Sequence, residues 1–548
     1  MFYMTSKFKE MFLKKRGYIA PLALFLIFLA FTLPGVSWGA PGIWHPDEIV
    51  VRVISALHGE WKFSEYNFDY PDLPQYAMFY LGKIILALGY SDGEILMASR
   101  FLSVALGGLI IVLSYFITRR IGGSVRTAFL AGLLLICVTP LSSNARFAHN
   151  DMYVVFFITF IILFLLCYLQ TGRRGWLYAA FTTVGMAASS KYTGGSMAFV
   201  VLIVYFILHW KTLCADWFRI AETLFIGGTL MALGYALGTP KALTWMAYYF
   251  KRVFAVLNWQ VNYGRNPGSV RGIIGQYAVL QDGLGTALFL ILALSFLWAC
   301  FRVARSLRNR SLTKESRVGG FAVLLLTIFA IDFPIMLSYN YQLRYFLPLM
   351  PPLAILAAFF IEKLIARAKL SRFRILPAVA TLTLSIVILY SFARLISAAL
   401  LFINDTRIPA TQFMLTLPAG ASLEHTNYPP NYPEGYFSRE HNYPLYIKKG
   451  STDIVPTNKT YEFNKAEEGL LDRKTDYLVV DNFTADRLKD KYVCEQVPQE
   501  CEFFAQLEQG GTERYRQIAE FKYALPPWLP QIRILFANPV IRIYERVQ

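Results

Sequence analysis

Long apolar runs separated by short polar loops fill residues 1–402 of the chain. A helix that crosses a bilayer needs about 20 mostly apolar residues, and eleven runs approach or reach that length. They cover residues 18–36, 96–118, 127–143, 153–170, 175–189, 194–210, 220–238, 284–301, 319–338, 345–362 and 375–402. The pattern predicts a polytopic α-helical membrane protein with about eleven transmembrane helices.

The loop after the first run has a pattern of its own. Residues 49–61 are amphipathic, and a short apolar run at residues 76–90 contains Lys83 and follows Pro71 and Pro74. A run that is short and charged does not suit a full span. We therefore expect juxtamembrane helices in this loop, with an interfacial or re-entrant helix at residues 76–90.

Residues 403–548 have a different pattern, with many polar positions and short β-like runs at residues 477–480, 532–536 and 540–544. This predicts two domains, a transmembrane domain at residues 1–402 and a small α/β domain at residues 403–548. Cys494 and Cys501 both lie in the second domain, where the sequence leaves a disulfide and free thiols equally open.

The charge distribution follows the same division. The chain is 55% hydrophobic and 16% charged, which argues against a soluble protein. Its net charge is +17, but residues 1–402 hold 36 basic and 16 acidic side chains, whereas residues 403–548 hold 17 and 20. The basic excess therefore lies in loops between apolar runs, as membrane topology requires, and no nucleic-acid partner is expected.

Alternate loops carry the basic residues, which places the N-terminus in the cytoplasm and, with eleven spans, the α/β domain outside. Ionisable residues close to a membrane are costly and often functional, and here they gather on the outer side. The first outer loop contains His45, Asp47 and Glu48. Adjacent carboxylates at a helix start suit general-base chemistry, although capping of the helix is an equally open alternative.

A second outer loop contains Arg146, His149 and Asp151 and repeats the His-x-Asp spacing of the first. The two His-x-Asp pairs together could bind a divalent metal, although helix capping by Asp151 and interfacial polarity of the histidines explain them as well. The candidate metal ligands are His45, Asp47, His149 and Asp151, and no cofactor is certain.

Two cations also face outward, Lys191 and Arg344, where they are expected at the depth of lipid headgroups. Lys and Arg neutralise phosphate, so the pair suits a lipid-phosphate substrate, although simple snorkelling explains each residue alone. Asp332, near the outer end of the ninth run, is expected to pair with Arg344 or to support the site.

Five segments, in this order and topological placement, resemble the GT-C superfamily of membrane glycosyltransferases. They are HPDE, RFAHND, SSKYTGG, RYFLPLMPPLAILAA and NDTRIPATQFMLTLPAG. The resemblance is to the branch with the protein O-mannosyltransferases and the lipid A aminoarabinose transferase. It implies the GT-C fold and transfer of one sugar, with inversion, from a polyprenyl-phosphate carrier to an acceptor hydroxyl on a protein, lipid or glycan at the outer face.

By this resemblance, Asp47 is the catalytic base, Glu48 supports it, and Asp151 is the second acidic residue of the site. Lys191, Arg344 and Tyr345 are implied to hold the donor phosphate. The supporting residues are then His45, His149 and Arg146.

The sequence also departs from parts of the superfamily. It contains no Trp-Trp-Asp motif, which argues against the oligosaccharyltransferase branch, and its second domain is too small for the sugar-binding insert of eukaryotic O-mannosyltransferases. This favours a prokaryotic plasma membrane. The segment YPDLPQYAM replaces the Pro-Pro-Leu of the family's second juxtamembrane helix.

Two other functions fit the composition less well. A secondary transporter predicts charges at the bilayer midplane and internal repeats, and a sensor predicts no acidic cluster at the membrane. The sugar and the acceptor remain open, and the loop at residues 239–283, with Tyr263, Arg265 and Arg271, is expected to help select the acceptor.

Overall fold

The computed structural model is predominantly helical, with one small β-sheet. It describes residues 6–60, 70–210, 215–262, 270–308, 317–339, 341–373, 375–441, 466–495 and 498–547. Tyr263 and Arg265 lie outside the described residues, so their expected role in acceptor selection stays a prediction.

The chain forms two compact units. The first comprises residues 1–36 and 47–396, and the second comprises residues 37–46 and 397–548. The C-terminal unit therefore begins within the last predicted span, slightly earlier than the sequence pattern indicated. It also includes a ten-residue segment from the first outer loop, residues 37–46, which the pattern did not assign to it.

The first unit is built from helices. They are α1 (Ser6–Thr32), α2 (Val50–Leu57), α3 (Leu73–Ala87), α4 (Asp92–Arg120), α5 (Val125–Ile136), α6 (Thr139–Ala145), α7 (Asp151–Thr171), α8 (Arg174–Ser190), α9 (Met197–His209), α10 (Trp217–Gly238), α11 (Lys241–Thr244), α12 (Met246–Asn262), α13 (Ile273–Leu284), α14 (Thr286–Arg308), α15 (Arg317–Met336), α16 (Met350–Lys369) and α17 (Leu376–Ile403). Short 3₁₀ turns at Tyr192–Ser196 and Leu343–Leu349 lead into α9 and α16.

All eleven predicted apolar runs are helical. Within the described ranges, eight helical segments are long and apolar enough to cross a membrane, and α5 with α6 makes a ninth candidate that is bent by 65°. The runs that correspond to Tyr18–Thr32 of α1 and to α8 are shorter. The protein is thus a multi-span membrane protein, and the total of eleven spans stays a prediction.

The first outer loop contains the expected helices. The amphipathic stretch forms α2, and the run at residues 76–90 forms α3, which has 15 residues and begins with Leu73-Pro74. Proline is well tolerated in the first turn of a helix because the amide hydrogen that it lacks has no partner there. The expected interfacial or re-entrant position of α3 stays a prediction.

Helices α8 and α10 pack with their backbones in close contact, through Gly185 and Gly234. A Cβ atom added to Gly185 would collide with the carbonyl oxygen of Met231, and one added to Gly234 would collide with the carbonyl oxygen of Thr182. Small residues allow this approach between helices that lack a hydrophobic driving force in lipid.

The second unit contains a five-stranded mixed sheet with the order β2-β1-β3-β5-β4. Its strands are β1 (Ser422–His425), β2 (Arg439–His441), β3 (Tyr477–Asp481), β4 (Tyr515–Phe521) and β5 (Ile541–Arg546). Strands β1, β2 and β3 are parallel, whereas β5 is antiparallel to β3 and β4.

Alternate residues of β3 enter separate apolar clusters on the two faces of this sheet. Tyr477 and Val479 pack with Ala410 and Met414, while Leu478 and Val480 belong to the opposite cluster. Ala410 and Met414 of the first cluster lie in helix α18 (Arg407–Met414). The other helices of the unit are α19 (Ala466–Asp472), α20 (Asn482–Ala485), α21 (Lys491–Cys494) and α22 (Pro498–Glu508). The predicted α/β domain is confirmed.

In the second unit, one predicted strand is absent and the state of two cysteines is resolved. Residues 532–536 do not form the predicted strand; Phe536 and Asn538 have positive φ angles of 68° and 56°, which interrupt an extended chain. Cys494 and Cys501, left open by the sequence, form a disulfide.

The contact between α8 and α10 predicts a position-specific effect on stability. Gly234→Ala should lower the free energy of unfolding by about 1–3 kcal/mol, because the added methyl group overpacks the interface. Gly228→Ala is the matched control, because Gly228 lies in the same helix and a Cβ atom there would meet nothing within 4 Å. Thermal unfolding of both variants in detergent measures the difference, and equal stability would contradict the packing.

Candidate active site

The two halves of the predicted outer cluster meet in the first unit. Asp151 is the first residue of α7, and Lys191 directly follows the end of α8. The Nζ atom of Lys191 donates a hydrogen bond to Oδ1 of Asp151 at 2.7 Å. The side-chain amide of Asn150 donates to the carbonyl oxygen of Ser190 at 3.0 Å and fastens the two segments together.

A second ion pair joins the first outer loop to the turn before α16. Atom Nη1 of Arg344 lies 2.8 Å from Oδ2 of Asp47. The N-cap residue of helix α2 is Ile49, which makes no side-chain capping bond. Tyr345 lies next to both cations, because its ring centroid is 4.9 Å from the Lys191 ammonium and 5.7 Å from the Arg344 guanidinium.

Backbone contacts fix the loop that bears Asp47. The amide of Ile49 donates to the carbonyl oxygen of Ala148 at 3.1 Å, and the amide of Ala148 donates to Oε1 of Glu48 at 2.8 Å. These bonds hold the first outer loop against the loop that ends at Asp151. The approach of the two loops explains why residues far apart in the sequence share one site.

Glu48 is held on both carboxylate oxygens by contacts within the protein. Its carboxylate is fully buried and accepts two hydrogen bonds from Arg100, at 2.8 Å to Oε1 and 2.7 Å to Oε2. Arg100 also donates to the carbonyl oxygen of Val36 at 2.9 Å. Because both oxygens of Glu48 are engaged, the carboxylate holds the loop and is not available to a substrate.

Arg146 is also a supporting residue. Its buried guanidinium donates to the carbonyl oxygens of Phe31, Pro34 and Ser142 at distances of 2.6, 3.0 and 3.0 Å. It thereby joins the end of α1 to α6. The supporting role in catalysis that the resemblance implied for Arg146 stays a prediction.

His149 and Tyr70 complete the surroundings of Asp151. Atom Nδ1 of His149 lies 3.0 Å from Oδ2 of Asp151, and the rings of His149 and Tyr70 meet edge to face at 5.3 Å. Burial lowers the pKa of His149, although Asp151 opposes the shift. Burial also raises the pKa of Tyr70, so the phenol keeps its proton. Sequence reasoning missed Tyr70, whose one signal was its place beside the unusual Pro71-Asp72 segment.

A further polar cluster surrounds Asp72, which sequence reasoning did not identify either. Both oxygens of Asp72 lie about 3 Å from Nζ of Lys241, at 3.0 and 2.9 Å, and the Asp72 amide donates to the Thr239 hydroxyl at 3.2 Å. Burial raises the pKa of Asp72 to about 7, although Lys241 opposes the shift. The same Thr239 hydroxyl is 2.7 Å from that of Ser189, two residues before Lys191.

Two sequence-based hypotheses are not supported. His45 belongs to the second unit, where its ring contacts Phe536 at 5.0 Å. Across the described residues, no three His, Cys, Asp or Glu side chains are grouped to hold a metal ion, so the proposed ligand set does not assemble. Asp332 has Gln276 as its hydrogen-bond partner, whereas Arg344 pairs with Asp47, so the alternative in which Asp332 supports the site stays a prediction.

The cluster therefore joins two carboxylates, Asp47 and Asp151, to two cations. The two carboxylates differ in their exposure to solvent. The side chain of Asp47 is 32% exposed, compared with 3% for Asp151. Lys191 and Arg344 are largely buried, at 15% and 11% exposure. Asp47 is thus the more accessible carboxylate, while the cations lie in a partly desolvated place, where electrostatic attraction to an anion is strong.

Sequence comparison connects this arrangement to known proteins. Residues 77–258 match the family model described as dolichyl-phosphate-mannose-protein mannosyltransferase. A curated relative from Pseudomonas fluorescens strain Pf0-1, undecaprenyl phosphate-alpha-4-amino-4-deoxy-L-arabinose arabinosyl transferase 2, is 28% identical over 230 residues, which is 41% of this chain. The match spans about two fifths (40%) of that relative's length.

Solved structures extend the similarity to nearly the whole chain. The archaeal oligosaccharyltransferase AglB from Archaeoglobus fulgidus has a TM-score of 0.55 and 13% identity, over 98% of this chain and 89% of its own. ArnT from Cupriavidus metallidurans, solved with undecaprenyl phosphate, has a TM-score of 0.51 and 15% identity, over 96% and 97%. The chain therefore shares its overall fold with these two solved proteins.

The family model matches only part of the candidate site. The matched region, residues 77–258, contains Asp151 and Lys191 but neither Asp47 nor Arg344. The latter two residues are joined to the matched region by the contacts of Glu48 and of Arg344 described above. The geometry of the candidate site is therefore described from the contacts of this chain.

The buried Glu48 carboxylate predicts a large stability effect. Glu48→Gln should lower the free energy of unfolding by about 3–5 kcal/mol, because it leaves Arg100 buried without a counter-charge. Glu222→Gln is the control: it breaks an exposed ion pair with Arg174, at 58% and 43% exposure, and should cost about 0–1 kcal/mol. Thermal unfolding in detergent compares the variants, and a Glu48→Gln protein as stable as the control would refute the supporting role.

Proposed function

We propose that this protein is an inverting glycosyltransferase that moves one sugar from a polyprenyl-phosphate carrier to an acceptor hydroxyl. The observation that carries the proposal is the close association of an accessible carboxylate, Asp47, with two largely buried cations, Lys191 and Arg344. A transferase that uses a lipid phosphate as leaving group requires both a base and neutralisation of that phosphate.

The donor phosphate would lie against Lys191, Arg344 and Tyr345. Each cation is already paired with a carboxylate, Lys191 with Asp151 and Arg344 with Asp47. An incoming phosphate would have to share them, and it would draw Arg344 away from Asp47. Loss of that ion pair would release the Asp47 carboxylate for its role as a base.

In the proposed step, the acceptor oxygen attacks the anomeric carbon and passes its proton to Asp47. A new glycosidic bond forms as the bond between the anomeric carbon and the phosphate oxygen breaks, and the phosphate leaves with that electron pair. Lys191 and Arg344 stabilise the charge that develops on the phosphate. Such electrostatic stabilisation is usually the largest single contribution to catalysis. Attack from the opposite side inverts the anomeric carbon.

The similar proteins support the substrate class. The matching family is described by a dolichyl-phosphate-mannose donor, and the curated relative by an undecaprenyl phosphate-linked aminoarabinose. AglB was solved with dolichol-phosphate and ArnT with undecaprenyl phosphate. We propose a polyprenyl phosphate carrying a mannose-like hexose or an aminopentose, with the acceptor on a protein, lipid or envelope glycan.

The proposal includes an orientation in the membrane, which is inferred from the basic loops. The basic loops lie in the cytoplasm of a prokaryotic cell, and Asp47 and the second unit face outward from the plasma membrane. A transporter of lipid-linked or anionic substrates is the alternative, and it would move such a donor without cleaving it.

Replacing the base tests the reaction. Asp47→Asn should reduce turnover by about 10²–10⁴-fold, the usual contribution of a general base, while binding of the donor persists. Purified wild-type protein is incubated with labelled polyprenyl-phosphate monosaccharides and a cell-envelope extract, and release of the free lipid phosphate is measured.

The control for that experiment is Asp92→Asn, which alters an exposed carboxylate paired with His58 in the same region of the chain. It should retain wild-type turnover. Near-normal turnover by Asp47→Asn would remove Asp47 as the base, and donor that crosses the membrane uncleaved would favour the transporter.

A further inference from the structure

The last turn of α8 carries Lys191 to the acidic cluster. The helix ends at Ser190, and Lys191 follows with an extended backbone, at φ −156° and ψ 134°. The direction in which the chain leaves α8 therefore decides where the Lys191 side chain begins. Asn150 holds this turn through the carbonyl oxygen of Ser190. A second contact holds the same turn from the loop after α10.

That second contact joins two buried hydroxyl groups. The side-chain oxygens of Ser189 and Thr239 are 2.7 Å apart, and both side chains are fully buried. Thr239 directly follows α10, so the contact links the ends of two packed helices. A Cβ atom added to Gly238 would collide with Oγ of Ser189 and with Cβ of Leu73. The end of α10 thus lies tightly against both α8 and the start of α3.

Thr239 is itself held from two directions. Its amide donates to the carbonyl oxygen of Tyr235 at 2.9 Å, in the last turn of α10. Its hydroxyl accepts from the amide of Asp72 at 3.2 Å, and the Asp72 carboxylate pairs with Lys241, two residues after Thr239. These bonds fix the Thr239 hydroxyl, which is therefore a rigid support for Ser189.

The position of the Lys191 ammonium depends on the backbone that this support holds. The side chain is largely buried, at 15% exposure, so it has little room to compensate for a shift of its own backbone. Hydrogen bonds to charged groups require close distances and good alignment. Errors of about 1 Å at a reacting group can cost about 10²-fold in rate.

We propose that Ser189 and Thr239 are positioning residues for Lys191, because the contact between their hydroxyls places its ammonium where the donor phosphate binds. This inference rests on the proposed function. Loss of either hydroxyl should weaken the binding of a lipid phosphate, and it should do so only while Lys191 is present.

Two variants each remove one hydroxyl. Ser189→Ala removes the partner on α8 and keeps the bond between Thr239 and Asp72, whereas Thr239→Val removes both bonds. Thr239→Ser restores a hydroxyl and is the conservative rescue. The control is Thr183→Val, also in α8, because the Thr183 hydroxyl donates within its own helix, to the carbonyl oxygen of Ala179 at 2.7 Å.

Equilibrium binding of undecaprenyl phosphate to the full-length protein in detergent is the first readout. Ser189→Ala and Thr239→Val should each raise Kd by about tenfold, the lower end for loss of a hydrogen bond to a charged group. Thr239→Ser and Thr183→Val should bind like wild type. Wild-type affinity in both hydroxyl variants would overturn the positioning role. If Thr239→Val does not fold, Ser189→Ala decides the outcome.

A double-mutant cycle tests whether the effect acts through Lys191. In the Lys191→Ala background, Ser189→Ala should cause no further loss of affinity. In the Arg344→Ala background, it should weaken binding by the same factor as in the wild-type protein. Equal losses in the two backgrounds would indicate a general disturbance of the site and would contradict the proposal.

Amide hydrogen exchange separates this proposal from the proposed function. Ser189→Ala should speed exchange in peptides that span the last turn of α8 and Lys191, whereas Thr183→Val should not. If wild-type protein binds no undecaprenyl phosphate, the phosphate site of the proposed function fails, yet exchange still reports whether the hydroxyl contact holds this turn. If wild-type protein binds it and Ser189→Ala matches the control in affinity, only the positioning proposal fails.

Discussion

Charges buried among apolar helices must be neutralised at close range, and this constraint organises the first unit. An unpaired buried charge costs several kcal/mol, and four acidic side chains of this unit pair with cations from distant parts of the chain. The resulting pairs are Glu48 with Arg100, Asp47 with Arg344, Asp151 with Lys191 and Asp72 with Lys241. These pairs join loops that the sequence separates by 40 residues or more.

The ion pairs differ in how accessible they leave the carboxylate. The Glu48 carboxylate is saturated by Arg100 and by a backbone amide, so it can only support the loop. Asp47 is the neighbouring residue, yet its side chain is 32% exposed, and it pairs with Arg344. Adjacent carboxylates thus take different roles because their surroundings differ, as in other enzymes with two acidic groups.

The sequence predicted the parts of the structure that leave a local signal. Apolar runs located the helices, and outward-facing charges located Asp47, Asp151, Lys191 and Arg344. It could not distinguish Glu48 from Asp47, because Arg100 lies inside an apolar run with no pattern that marks it as a partner. Tyr70 and the Asp72–Lys241 pair depend on tertiary contacts in the same way. Positive φ angles at Phe536 and Asn538 ended a strand that composition alone favoured.

The central claim is that Lys191 and Arg344 form a binding site for a lipid phosphate, and equilibrium binding of undecaprenyl phosphate to the purified protein tests it most directly. This ligand carries no sugar, so the result does not depend on the donor or the acceptor. Lys191→Ala and Arg344→Ala should each weaken binding by about 10–100-fold, since a hydrogen bond to a charged group contributes about 1.5–3 kcal/mol. Lys83→Ala, which removes an exposed cation of α3, should bind like wild type. Wild-type affinity in both site variants would contradict the account.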